Sequence, residues 1–173
     1  MPLYGESRDI SLFRHLNREL LNNIIEQKVG YYKINLGETN SNVYGESPNK
    51  FYNPPVLANC LIERGDTDFV STDVGVDTVR KMKFRFLRDD LAGIEVTDFD
   101  GNNYNVFPEA GDVILWNEDF YEVDNINENQ LVVGKDPSYA YDSSVTNFGS
   151  SWSIILEAHF TRADKLGLIQ QRL

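Results

Sequence analysis

Few residues of this 173-residue chain have side chains suited to nucleophilic, acid–base or metal chemistry. The single cysteine, Cys60, lies in the apolar run Val56-Leu57-Ala58-Asn59-Cys60-Leu61-Ile62. A lone thiol there is expected to be an inert core residue. With one cysteine no intrachain disulfide forms, so a reducing compartment is the default. The two histidines, His15 and His159, have no second Cys or His at ligand spacing, which argues against structural zinc. Asp98-Phe99-Asp100-Gly101-Asn102 resembles part of a calcium loop, but Val96 stands where the first acidic ligand belongs. It reads as a hairpin turn. Gly5-Glu6-Ser7-Arg8-Asp9 and Gly45-Glu46-Ser47-Pro48-Asn49 both lack the final glycine of a nucleophile elbow. No Gly-rich phosphate loop is present. Glu118, Asp119 and Glu122 could in principle move protons, but turn carboxylates of an acidic chain are expected to be solvated. The sequence nominates no catalytic residue, no metal ligand and no cofactor, and the expectation is a protein that is not an enzyme.

The totals agree with a binding or building role. There are 27 acidic against 16 basic residues, a formal net charge of -11. Such a chain gains nothing from neutralising phosphates, so specific DNA binding and anionic membranes are disfavoured. No run approaches the ~20 apolar residues of a membrane span, and the first seven residues do not read as a signal peptide. A length of 173 residues suits one domain, 1–173, able to bury its own core. Nine Tyr and ten Phe favour pleated, half-buried surfaces.

One amphipathic helix is predicted over about residues 9–27. Leu12, Phe13, Leu16, Leu20, Leu21, Ile24 and Ile25 recur at three- and four-residue spacing, opposite Arg14, Asn17, Arg18, Asn22 and Asn23. Its stripe must lie on a core or on a neighbouring subunit. A β-rich body follows over about residues 31–161. Strands are expected at 31–36, at 56–62 (buried), in a short piece around Phe69 and Val70, and where Met82, Phe84 and Phe86 alternate with Lys81, Lys83 and Arg85. The basic face of that last strand reads as solvated. After a possible helical turn at 88–92, a hairpin spans 94–97 and 104–107. A three-stranded meander is expected at 113–116, 120–126 and 130–134. A closing strand at 152–161 places Trp152, Ile154, Leu156, Ala158 and Phe160 on one face. Short strands at regular spacing with one terminal helix predict a mainly β (α+β) fold. It is an antiparallel β-barrel or sandwich with an N-terminal amphipathic helix and long interaction loops.

Two loops are long. Residues 38–55 hold Val43, Tyr44, Phe51 and Tyr52, and residues 135–149 hold Tyr139, Tyr141 and Phe148. A structureless loop of ~15 residues in a small domain usually has a task. The first loop either packs on another chain or folds as a lid over its own core. The tail, 162–173, carries Leu166, Leu168, Ile169 and Leu173, which point to docking, including onto another subunit.

Val43-Tyr44-Gly45-Glu46-Ser47-Pro48-Asn49-Lys50-Phe51-Tyr52-Asn53-Pro54-Pro55-Val56 resembles a stretch in neck proteins of contractile-tailed bacteriophages. There a Tyr-Gly-Glu element precedes a Lys, an aromatic, a Pro and then a strand. Pro108-Glu109-Ala110-Gly111-Asp112 with Val113–Trp116, then Phe120-Tyr121-Glu122-Val123, then Trp152 to Phe160, is similar to the same family's later pattern. The resemblance implies a head-closure (head-to-tail connector) protein of the virion, assembled in the host cytoplasm. It implies a homo-oligomer, usually a hexameric ring, between the portal with its adaptor and the tail proteins, with packaged DNA passing through unbound. On this reading Tyr44, Phe51, Tyr52 and Tyr141 are interface residues. Deleting residues 39–53 would then spare the fold and abolish ring formation. The competing readings are another tail component (tail terminator or baseplate protein) and a monomeric ligand-binding β-barrel.

Overall fold

A computed structural model describes residues 7–37, 39, 50–72, 75–97, 101, 103–128 and 152–168. The protein is mainly β. Helix α1, Ser7–Glu19, continues as a π-helical segment, Leu20–Ile25. It ends where Glu26 enters the left-handed region and its N–H bonds to Leu21 O. Among the described residues the strands are β1 Lys28–Tyr32, β2 Val56–Asn59, β3 Leu61–Thr72, β4 Gly75–Leu87, β5 Glu95–Thr97, β6 Asn103–Asn105, β7 Val113–Trp116, β8 Asp119–Asn127 and β9 Ser153–Thr161. Two short helices, α2 Arg88–Ala92 and α3 Ala163–Leu166, follow β4 and β9.

Seven strands form one antiparallel sheet in the order β2-β1-β7-β8-β9-β4-β3, and β5 and β6 form a separate ribbon. The two edge strands, β2 and β3, are consecutive in sequence and joined by Cys60 alone. The sheet must therefore roll until its edges meet at that residue, although no ladder closes it into a barrel. The alternation of Met82, Phe84 and Phe86 drives this curvature. All three are buried, as are Tyr31, Ile114, Tyr121, Ile154 and Leu156, and together they fill the concave side. The lysines and arginine between them stay outside, where Lys83 pairs with Glu157 and Arg85 with Glu63. That is the solvated face expected from the sequence.

Central strands β1, β7 and β8 are buried on both faces, so they carry nearly continuous apolar runs rather than alternation. Their second face holds Tyr32, Val113, Leu115 and Phe120. It is covered by Tyr52 and by Leu166 of α3. Ala163, Leu166 and Leu168 of the tail thus dock on their own chain, as the sequence's docking expectation allowed. The β7–β8 turn is Asn117-Glu118, both with positive φ, which matches the twist a two-residue hairpin requires.

Several elements depart from expectation. The strand expected at 31–36 begins earlier, at Lys28, and ends at Tyr32; beyond it only the bridge Ile34↔Tyr52 continues the pairing. The run 56–62 is not uniformly buried. It alternates about Ala58 and Cys60, leaving Leu57 and Leu61 exposed, because successive side chains point to opposite faces and only one face is covered there. The acidic stretch 63–77 is not a loop with a short strand. It belongs to a long hairpin in which β3 pairs with β4, with a register shift between Arg64 and Thr67. At that shift Gly65 comes so close to β4 that an added Cβ would stand 2.9 Å from Lys81 O. The meander's expected third strand, 130–134, lies outside the described residues, and β8 pairs instead with β9.

Candidate functional site

The amphipathic helix meets the body through its polar side and through part of its apolar stripe, where Leu20, Leu21 and Ile25 face Phe86, Leu87 and Trp152 across a cleft. Arg14 approaches Asp89 at 3.4 Å, Arg18 approaches Asp90 at 2.8 Å, and Asn22 donates to Asp90 at 3.0 Å and accepts from Asn59 at 2.9 Å. Leu21 is the buried apolar residue of this segment, and Phe13 leans on Trp152 with ring centroids 6.4 Å apart. The stripe itself, Leu12, Phe13, Leu16, Leu20, Ile24 and Ile25, is 42–71% exposed. At about half of ~200 Å² per large side chain, this puts on the order of 600 Å² of apolar surface in water. That is the upper end of the ~300–600 Å² usual for the largest apolar patch of a monomer, and such patches mark interaction sites. Under the helix lies a cleft of about 200 Å³ whose apolar lining includes Leu20, Ile25, Leu61, Phe86, Leu87 and Trp152.

A second apolar group sits where the chain leaves β1. Leu36, Phe51 and Phe107 are all exposed. Asn35 N–H donates to Phe51 O at 2.8 Å, and Lys33 Nζ donates to Phe107 O at 2.7 Å, which ties the three segments to one end of the strand.

Beneath them is a buried polar cluster. Asp112 is fully buried. Its carboxylate accepts the Ile34 N–H at 2.9 Å and the Glu109 N–H at 2.7 Å, and it also accepts the Tyr31 hydroxyl. Lys33 Nζ stands 3.3 Å from it and 2.8 Å from Glu109. Burial raises the Asp112 carboxyl above the ordinary Asp value, against the pull of these donors. The same burial, with Asp112 beside it, lifts the Tyr31 hydroxyl well above its usual range. The cluster's bonds run between the 108–112 turn and the end of β1, so its work is to fasten the two together. Glu122, expected to be solvated, is buried and paired with Lys50.

One arrangement looks catalytic. His159 lies 2.8 Å from Asp124 through Nδ1 and 3.2 Å from Thr161 Oγ1 through Nε2. That order is the order of a nucleophilic triad. Thr161 is buried, however, so a substrate carbonyl has no approach to its hydroxyl, and the three form a polar ladder across β8 and β9. Cys60 is buried, and burial raises its thiol to about 12, which keeps it protonated and inert. Among the described residues no cluster of His, Cys, Asp or Glu is arranged to hold a metal ion, and no helix is long and apolar enough to cross a membrane.

Of the residues expected at interfaces, Phe51 is exposed beside Leu36 and Phe107, while Tyr52 is buried in its own chain against the β1–β7–β8 face. Residues 50–53 thus follow the alternative in which the loop covers its own core. Tyr44 and Tyr141 lie outside the described residues. The sequence did not single out Phe107 or Asp112 for these roles. A Phe between Val106 and Pro108 reads as one more strand residue, and the partners of Asp112 lie some 80 positions away in the chain. No protein-family model matches the chain, and a search of curated proteins finds no match.

Proposed function

We propose that this chain is a structural subunit of a phage neck, a head-closure protein that works as a self-associated ring between portal and tail. The observation that carries the assembly half of this reading is the outward-facing apolar stripe of α1. At about 25 cal/mol per Å² its ~600 Å² represents a gross drive of ~15 kcal/mol. That is comparable with the ~4–15 kcal/mol cost of association, so a partner covering most of the stripe can be held. The neck assignment itself is supported by the resemblance of residues 43–56, 108–116, 120–123 and 152–160 to that family. A net charge of -11 suits a passage through which DNA must slide without sticking. A tail terminator or baseplate subunit would use the same stripe, and position in the particle separates the two.

The test is complementation of assembly. Particles made without this chain should accumulate as heads that package DNA, lose it again and accept no tails, and purified protein should restore joining. Heads that join tails normally without it would overturn the reading.

A further inference from the structure

We propose that Phe107 is the anchor by which one copy of this chain grips another, its ring seated in the cleft beneath α1 of the neighbour. The proposal deepens the self-association reading above and rests on it. Phe107 is 64% exposed, yet both its neighbours, Val106 and Pro108, are buried. Its backbone is held on every side. Val106 N–H donates to Ile94 O at 3.2 Å, Lys33 Nζ donates to Phe107 O at 2.7 Å, and Glu109 N–H donates to the buried Asp112 at 2.7 Å. An aromatic ring on a fixed backbone loses little freedom on binding, which is the character of an interface anchor.

The α1 cleft has the matching shape. Its volume is about 200 Å³, and its walls include Leu20, Ile25, Leu61, Phe86, Leu87 and Trp152. The cleft is half open to solvent, and it is large enough for a phenyl ring to lie in it. Asn17, Arg85 and Ser153 add polar groups to the same lining. Phe107 of the same chain does not fill it.

The occupant is a second copy because each copy carries both halves. The exposed parts of Leu36, Phe51 and Phe107 add on the order of 350 Å² to the ~600 Å² of the stripe. One kind of contact would then remove close to the ~1,000 Å² that a specific interface needs. A partner of another kind would cover one patch and leave the other in water. Because knob and cleft are different surfaces, repeating the contact from copy to copy builds a ring when the rotation closes.

Cysteine pairing tests the contact in the full-length protein. Ala110→Cys, which leaves the Phe107 ring in place, is mixed with Asn17→Cys, and separately with Leu61→Cys, then oxidised in the presence of the cognate portal complex. The native Cys60 is buried and protonated, so it stays silent. The expected result is a disulfide between chains from position 110 to position 17 or 61, with Phe107→Ala weakening self-association at least ~30-fold and Phe107→Trp retaining it. Assembly at wild-type strength by Phe107→Ala, or cross-links that join only position 17 to position 17, would overturn the knob-and-cleft contact while leaving the ring reading standing. A wild-type protein that stays monomeric with the portal would remove both.

Discussion

Asp112 shows how a residue of ordinary appearance can govern a fold. In the sequence it is the last residue of Pro-Glu-Ala-Gly-Asp, a generic turn. In the structure it gathers the Tyr31 hydroxyl, Lys33 and the Ile34 N–H from β1 and the residues after it, and the Glu109 N–H from its own turn. Asp112→Ala would strand all of these donors in a dry interior, and the expected loss is about 3–5 kcal/mol, read from urea unfolding. Tyr31→Phe removes one charge-assisted bond and should cost ~1.5–3 kcal/mol. The pH dependence has a definite sign. A carboxyl whose folded pKa is raised takes up a proton on folding, so its contribution is complete below the ordinary Asp range and is lost as pH rises through the raised value. The stability lead of wild type over Asp112→Asn should therefore shrink as pH climbs through that window. A lead that grew with pH would show that the donors outweigh burial. None of this was legible in sequence, because a hydrogen bond between residues 31 and 112 leaves no local pattern.

At the scale of elements the sequence was informative wherever a local period decided the outcome. Met82, Phe84 and Phe86 defined β4, Val113–Trp116 and residues 120–126 marked β7 and β8, and the stripe Leu12–Leu16–Leu20–Ile24 marked the helix. It was silent where pairing decided. The stretch 63–77 has too few apolar residues to alternate, and it becomes strand because β4 offers it a full ladder. It was silent also on which way α1 turns, since an amphipathic period is the same whether the apolar side meets the core or the solvent. The structure fixes that with Arg14, Arg18 and Asn22 against Asp89 and Asp90. Two backbone positions invite a further check. Glu26 ends the π-helical segment at φ 48°, and Glu118 sits in the β7–β8 turn at φ 70°. Replacing either by Gly relieves a left-handed side chain and should raise thermal stability by up to about 1 kcal/mol. Conversely, Leu12→Lys and Leu16→Lys remove exposed methyl groups only. They should leave unfolding of the isolated chain within ~0.5 kcal/mol of wild type while abolishing self-association by sedimentation.

A rolled sheet with its polar cluster at the end of β1 presents two apolar patches to the outside, and one of them is the stripe of α1. Removing residues 39–53, as the sequence alone would suggest, also removes Tyr52 and Asn53 from their places on β1 and Lys33. That deletion should unfold the protein or weaken it severely. Removing residues 40–49 spares these contacts and is the cleaner probe of that loop. The most direct measurement is the mass of the purified protein in solution, alone and mixed with the cognate portal complex. A multimer, either alone or formed on the portal, and its loss in Leu16→Lys, is the result expected of an assembly subunit. A monomer that ignores the portal, with the α1 stripe still bare, would contradict it.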